Sequence, residues 1–347
     1  MTEQAIVTVG ETVPAISRDL GQAANQAAAK SAFADYQSRK ATNTLRRQRA
    51  DLDLFARYLA EVGKGSAPTG EALATAPETW CGVTWGLVEG FARWMLRQGY
   101  AIGSVNVRLS TVKTYSKMAA KAGALDRQEL AMIRLVEGYP HKEAKRIDDR
   151  RAEAEIPTRV GAKKAESVSL TADQVEALKE QPDTPQGRRD RVVMCLLLDL
   201  GLRVGELARL TVGDVDLEAK ALRFYRPKVD KIQTHDLING SFGAVRSWLQ
   251  TDAPAIGPLL RSSRKGGELT DAGMTERAIT ERVRYLGGRI GVKGLSAHDL
   301  RHCWATTAAR NGTALDRLMD AGGWASSAMP LRYIQAAKIA NMGVRLA

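Results

Sequence analysis

The chain is poor in cysteine and histidine: of 347 residues, three are Cys and four are His. Cys81, Cys195 and Cys303 lie far apart with no paired spacing. That argues against a disulfide framework or a cysteine zinc site and fits a reducing cytoplasm. No apolar run approaches the roughly 18 residues of a membrane span. The opening residues, MTEQAIVTVGETVPA, lack the basic and apolar regions of a signal peptide. A soluble, cytoplasmic, two-domain protein is the expectation for a chain of this length.

Positive charge is in excess. The net charge is +12, from 51 Lys and Arg against 39 Asp and Glu. Residues 1–168 and residues 169–347 each carry +6 of it. A polyanion gripped by both halves would produce this even spread, and nucleic acid is the usual candidate.

Residues 1–30 are Ala/Gln-rich without sustained periodicity and read as a mobile arm. Residues 31–137 are helical in pattern throughout. In TNTLRRQRADLDLFARYLAEVG, Leu45, Leu52, Phe55, Leu59 and Val62 form one stripe, with Arg46, Arg47, Arg49 and Arg57 opposite. SVNVRLSTVKTYSKMAAKAG repeats the scheme, with Arg108, Lys113 and Lys117 outside its stripe. Thr44, Arg46, Arg47, Arg108, Lys113 and Lys117 are therefore the expected DNA contacts of a small helical bundle. Residues 138–168 lose the apolar period, carry dense mixed charge, and read as a linker, helical at most in its first half. A second domain, 169–347, opens with Thr171 as the N-cap of ADQVEALKE. RDRVVMCLLLDLG is a buried helix stopped by Gly201. ALRFYRPKVDKIQTHDL alternates like a β-hairpin around a proline turn, and helices follow to the end.

Two of the four histidines fall in HDLRHCW, residues 298–304. Ser296 and Asp299 have the spacing of a capping box, which starts a helix near Ala297. His298 then lies in the first turn, with Arg301 three residues on along the same face. Free N–H groups and the positive dipole end of that turn favour an anion. A zinc reading would need His298 and His302 as ligands, with the Arg301 cation beside the metal, which disfavours it. The stretch has company in LDLGLRVGELARL, where Glu206 follows Arg203 by three residues. It has more in GTALDRLMDAGGWASSAMPLRYIQ, where Thr313 and Asp316 again have capping-box spacing and Trp324 precedes Tyr333 by nine residues.

The order G-L-R-x-G-E-L, hairpin lysine, H-x-L-R-H, G-G-W and tyrosine resembles the tyrosine recombinase (phage integrase) family. Trp324, at a position more often histidine, resembles the Cre-like members. The resemblance spans roughly residues 31–347. It implies a mainly α protein. An N-terminal all-helical core-binding bundle is joined to a mostly helical catalytic domain with a small antiparallel β-sheet, and a C-terminal exchange tail follows at 336–347. It implies catalytic roles for Arg203, Glu206, Lys228, His298, Arg301, Trp324 and Tyr333, with Lys231 close enough to compete with Lys228. His302 is assigned to packing, and His141 and His235 are left as surface or hairpin residues. No metal and no cofactor are expected. The implied partner is double-stranded DNA with a specific target site, bound by a homotetramer on two duplexes. The implied setting is the bacterial nucleoid, with a bacterial, phage or plasmid origin.

Elementary chemistry supports these roles. A phosphodiester attacked by a phenol oxygen gathers negative charge on its non-bridging oxygens, which two guanidiniums can clamp. An indole N–H can add a donor that exchanges no proton. A histidine can take the phenol proton, and a lysine on a hairpin can protonate the leaving oxygen. Two rivals use similar parts: a type IB topoisomerase, which would act as a monomer, and a non-catalytic DNA-binding protein of the same fold. The apolar tail residues Ile339, Met342, Val344 and Leu346 favour an assembling protein over a monomer.

Overall fold

The computed structural model describes residues 18–63, 65, 67–160 and 167–337. The chain divides into two compact units, residues 1–163 and 164–347. Among the described residues no helix is long and apolar enough to cross a membrane.

The first unit is helical: α1 (Arg18–Ser38), α2 (Thr42–Val62), α3 (Gly70–Thr75), α4 (Trp85–Arg97), α5 (Ile102–Lys121), α6 (Arg127–Leu135) and α7 (His141–Glu153). Helix α5 runs through its core because Val105, Leu109, Val112, Tyr115 and Ala119 recur at helical spacing and are all buried. Phe55, Trp80 and Phe91 pack against the same core. In α2, Leu52 and Phe55 are buried as expected, whereas Leu45 and Leu59 are half-buried and Val62 is exposed. The buried stripe of α2 also takes in Gln48, Asp51 and Tyr58, so it lies to one side of the apolar stripe drawn from sequence.

Two sequence expectations change here. Residues 18–30, expected in a mobile arm, are helical. Alanine and glutamine favour a helix without needing an apolar face, and only the end of α1 is anchored, by Ala32, Phe33 and Tyr36. Residues 1–17 lie outside the described residues. The first half of the segment expected as a linker is helical, as the sequence allowed, and this helix, α7, groups with the first unit. Arg151 holds it there, donating to the carbonyls of Tyr100 and Pro157.

The second unit contains α8 (Ala172–Lys179), α9 (Pro185–Asp199), α10 (Val204–Leu207), β1 (Val215–Asp216), β2 (Ala221–Arg226), β3 (Lys231–Asp236), α11 (Ser241–Thr251), β4 (Arg261–Ser263), β5 (Leu269–Gly273), α12 (Glu276–Arg289), α13 (Ala297–Arg310), α14 (Leu315–Gly322) and α15 (Ala328–Ala337). Helix α9 is its core, buried from Val192 to Asp199. Thr171 caps α8 in a capping box with Gln174. The chain leaves α9 at Gly201, whose φ of +61° suits glycine. The Trp304 ring packs so closely on Gly201 that a Cβ there would overlap it.

The expected hairpin is β2–β3, paired antiparallel from Ala221↔Asp236 to Arg226↔Lys231, with β1 as a third strand on the other edge of β2. A second hairpin, β4–β5, lies where the sequence suggested only helices. Its strands are short and polar and show no apolar alternation, so periodicity does not reveal them. The Thr313–Asp316 capping box does not form. Helix α14 begins one residue later, with Ala314 as N-cap and no side-chain cap. Thr313 is held by the turn that ends α13, its N–H donating to the carbonyl of Ala308 at 3.0 Å.

Candidate active site

The site is built around one turn, Gly322–Gly323, at the end of α14. Arg203 is the N-cap of α10, and the Glu206 carboxylate holds it twice. One oxygen accepts from the Arg203 backbone N–H and the other from Nη1, each at 2.8 Å. Arg203 Nη2 then donates to the Gly323 carbonyl at 2.8 Å. Arg301 reaches the same turn from α13. The Ser296–Asp299 capping box sets its helix, as the sequence predicted. Its guanidinium donates to the carbonyls of Gly201 and Gly322. It also lies 4.4 Å from the centre of the Trp324 ring. Two guanidiniums from distant segments thus share consecutive carbonyls.

The wall beside them is aromatic. Trp324 stacks on Trp304 at 6.1 Å and meets the Tyr333 ring at 5.7 Å. Among the described residues the Trp324 indole N–H has no protein acceptor, which leaves the donor available. Tyr333, on α15, is 3% exposed. Burial pushes its phenol above the ordinary range, against the pull of Arg301, Arg203 and Arg332. Burial, then the Arg203 charge, pushes the Arg301 guanidinium down to about 9. A buried cation held so far below its ordinary value is one that a bound anion would stabilise.

The two histidines of α13 sit in different surroundings. His298 is in the first turn of α13 and exposed. His302, one turn on, meets the Tyr333 ring edge-on at 4.8 Å, consistent with the packing role assigned to it. Burial, then His298, lowers its pKa. Lys228 lies exposed in the turn between β2 and β3, and Lys231 is exposed at the start of β3. Lys231 borders an open groove of about 840 Å³ along β3, a groove not lined by Arg203, Arg301 or Tyr333. Among the described residues no three His, Cys, Asp or Glu side chains gather as metal ligands would.

Two residues outside the sequence assignment stand against the site. Arg226, the last residue of β2, is wholly buried beside Glu206. His235, left as a surface or hairpin residue, lies in β3 with Nε2 3.2 Å from Arg226 Nη2 and its ring edge-on to Phe224. The signal for Arg226 was present: strand alternation with Leu222 and Phe224 facing inward turns residue 226 inward as well.

Burial, then the Arg226 charge, pushes His235 down from 6.5 to about 4. Above pH 6.5 the folded and unfolded chains both hold it neutral. As pH falls from 6.5 towards 4, the unfolded chain takes up a proton that the fold refuses, so stability is lost. The expected loss reaches about 3 kcal/mol at the acid end. Urea denaturation of wild type and His235→Gln over this range measures it. Equal pH slopes for the two proteins would refute the linkage.

In the first unit the expected DNA contacts are spread along α2 and α5. Arg46 and Lys117 are exposed and Thr44 is half-buried. Arg47 is exposed but pairs with Asp51 at 2.6 Å and also donates to Thr111. Arg108 is half-buried, 3.7 Å from Asp51 and 4.4 Å over the Tyr100 ring. Lys113 does not face outward. It donates to the carbonyls of Arg134 and Val136 at 2.9 and 2.7 Å, because the end of α6 leaves carbonyls without helical partners.

Within the second unit, then, cations and a buried phenol line one turn, an arrangement that could hold an anion beside the phenol oxygen. The profile of the phage integrase family matches residues 168–339. Tyrosine recombinase XerC of Herpetosiphon aurantiacus is 25% identical over 293 residues, 82% of this chain and 81% of the relative. Type 1 fimbriae regulatory protein FimB of Escherichia coli K12 is 30% identical over 156 residues, 44% of this chain and 76% of the relative. Among solved structures, the Tn1549 transposon integrase in complex with transposon right end DNA has a TM-score of 0.58 at 16% identity, covering 88% of this chain and 94% of its own. A lambda integrase dimer bound to a COC′ core site has a TM-score of 0.56 at 14% identity, covering 87% and 92%. These two likenesses show a shared fold. The chain belongs to the phage integrase family and is a site-specific tyrosine recombinase.

Proposed function

We propose that this enzyme cuts and rejoins double-stranded DNA at a specific target through a 3′-phosphotyrosine on Tyr333. The observation that carries the reading is the convergence of Arg203 and Arg301 on the Gly322–Gly323 carbonyls, next to the Trp324–Tyr333 pair. The Tyr333 oxygen attacks the scissile phosphorus, a Tyr–O–P bond forms, and the bond from phosphorus to the 5′-oxygen breaks. His298 takes the phenol proton or donates to the phosphate, and Lys228 protonates the leaving 5′-oxygen. Arg203 and Arg301 hold the non-bridging oxygens, with Glu206 orienting Arg203 and the Trp324 indole N–H adding a donor. The covalent bond conserves energy, so rejoining by the reverse path needs no ATP. Four protomers on two duplexes would exchange strands in two steps through a Holliday junction. The apolar tail residues that motivate this assembly lie outside the described residues. The enzyme would work in the cytoplasm, on the nucleoid.

The test is covalent capture. Incubated with DNA carrying its target and a nick beside the scissile phosphate, the protein is expected to form a denaturant-resistant adduct, undiminished by EDTA. Relaxation of any plasmid irrespective of sequence would instead favour the topoisomerase reading. Binding without an adduct would favour a non-catalytic protein. Grip is tested by salt: affinity is expected to fall by about 0.9 log unit per tenfold salt for each phosphate neutralised. Arg46→Ala and Lys117→Ala, both at exposed positions, are expected to flatten that slope. Slopes unchanged from wild type would remove them from the interface.

A further inference from the structure

Arg226 has no part in the chemistry above, yet it is wholly excluded from solvent at the floor of the site. Its Nη2 donates to the Ala321 carbonyl at 2.9 Å. Its Nε lies 4.0 Å from Glu206 Oε1, the oxygen that also receives Arg203 Nη1. Its guanidinium presses so closely on Gly323 that a Cβ there would overlap it. Among the described residues neither Nε nor Nη1 has a hydrogen-bond partner. A buried guanidinium with two unpaired nitrogens is costly, and a methionine of similar volume would fill the space at less cost. Packing therefore does not account for it.

Its position does. The Gly322 and Gly323 carbonyls hold Arg301 and Arg203, and Arg226 holds the residue just before them. Gln233 ties the same seam from β3, donating to the Asp320 carbonyl and to its carboxylate, each at 3.0 Å. Around Glu206, Arg226 is a further cation beside Arg203 and Arg301. Arg203, Arg226 and Arg301 then outnumber Glu206 and Asp320, the two carboxylates that act on them, so the floor of the site stays positive. His235 cannot supply that charge, being held neutral at physiological pH. Arg226 also ends β2, so the strand is anchored two residues before Lys228 while the turn beyond stays exposed.

We infer that Arg226 is a positioning residue of this site, bracing the β2–β3 hairpin against the 321–323 turn and sharing Glu206 with Arg203, so that both clamp arginines stay placed and the floor stays positive for a phosphate. The inference deepens the phosphodiester-cleaving reading and rests on it.

Arg226→Met and Arg226→Lys separate charge from packing. Single-turnover adduct formation on saturating nicked target is measured with target affinity and Tm. For Arg226→Met the rate is expected to fall about a hundredfold while the dissociation constant stays within about threefold. Its Tm should match or exceed that of wild type. Arg226→Lys is expected to recover much of the rate at a lower Tm. Wild-type cleavage by Arg226→Met, or a Lys variant slower than the Met variant, would overturn the inference. Calorimetric titration with inorganic phosphate probes the same clamp without DNA chemistry. Arg226→Met is expected to bind it about tenfold more weakly than wild type. Equal binding, or none by wild type, overturns the inference. No adduct from wild type on any DNA, with phosphate still bound more weakly by the Met variant, overturns the cleavage reading and leaves Arg226 positioning an anion site.

Discussion

Tyr333→Phe is expected to bind target DNA as wild type does and to form no covalent adduct at all. The ring makes the packing: it meets His302 at 4.8 Å and Trp324 at 5.7 Å, and phenylalanine keeps both contacts. Among the described residues the hydroxyl has no protein hydrogen-bond partner, so its loss is expected to change stability by no more than about 1 kcal/mol. What disappears is the only atom of the side chain that can attack phosphorus. Denaturing gel analysis after incubation with nicked target checks it, and a persistent adduct would place the nucleophile elsewhere.

Lys228→Ala is expected to slow cleavage of ordinary DNA by about 10²–10⁴, because an alkoxide leaves poorly without an acid. A thiolate needs no proton to leave. DNA with sulfur at the scissile 5′ bridging position is therefore expected to return Lys228→Ala to near wild-type cleavage. The same substrate is not expected to rescue Arg203→Ala or Arg301→Ala, whose charges act on the non-bridging oxygens. The structure leaves a sharp choice between two lysines. Lys228 is in the exposed turn, whereas Lys231 is paired in register with the buried Arg226 at the start of β3. Rescue of Lys231→Ala with no rescue of Lys228→Ala would move the acid to Lys231. Rescue of neither would remove the hairpin lysines and make His298 the next candidate.

Much of this protein is local, and what is local is written in its sequence. The Ser296–Asp299 box starts α13, and the Thr171 cap starts α8, because each satisfies backbone N–H groups three residues away. Alternation around Pro227 predicts the β2–β3 hairpin, and the order of the motif residues predicts the family. Local rules also misled where a competing contact was stronger. Thr313 was taken by the end of α13, Lys113 turned to the carbonyls that close α6, and the arm expected at residues 1–30 is helical from Arg18. Tertiary structure alone decided how the site is assembled. Arg203 bonds a carbonyl 120 residues away, Arg301 one 100 residues away, and Arg226 one 95 residues away. Their acceptors are main-chain oxygens of glycine and alanine, groups that every residue carries and no side-chain pattern marks. Sequence could therefore name Arg203, Arg301 and Tyr333. Only the fold could show that the Gly322–Gly323 turn gathers them, and that a third arginine lies beneath it.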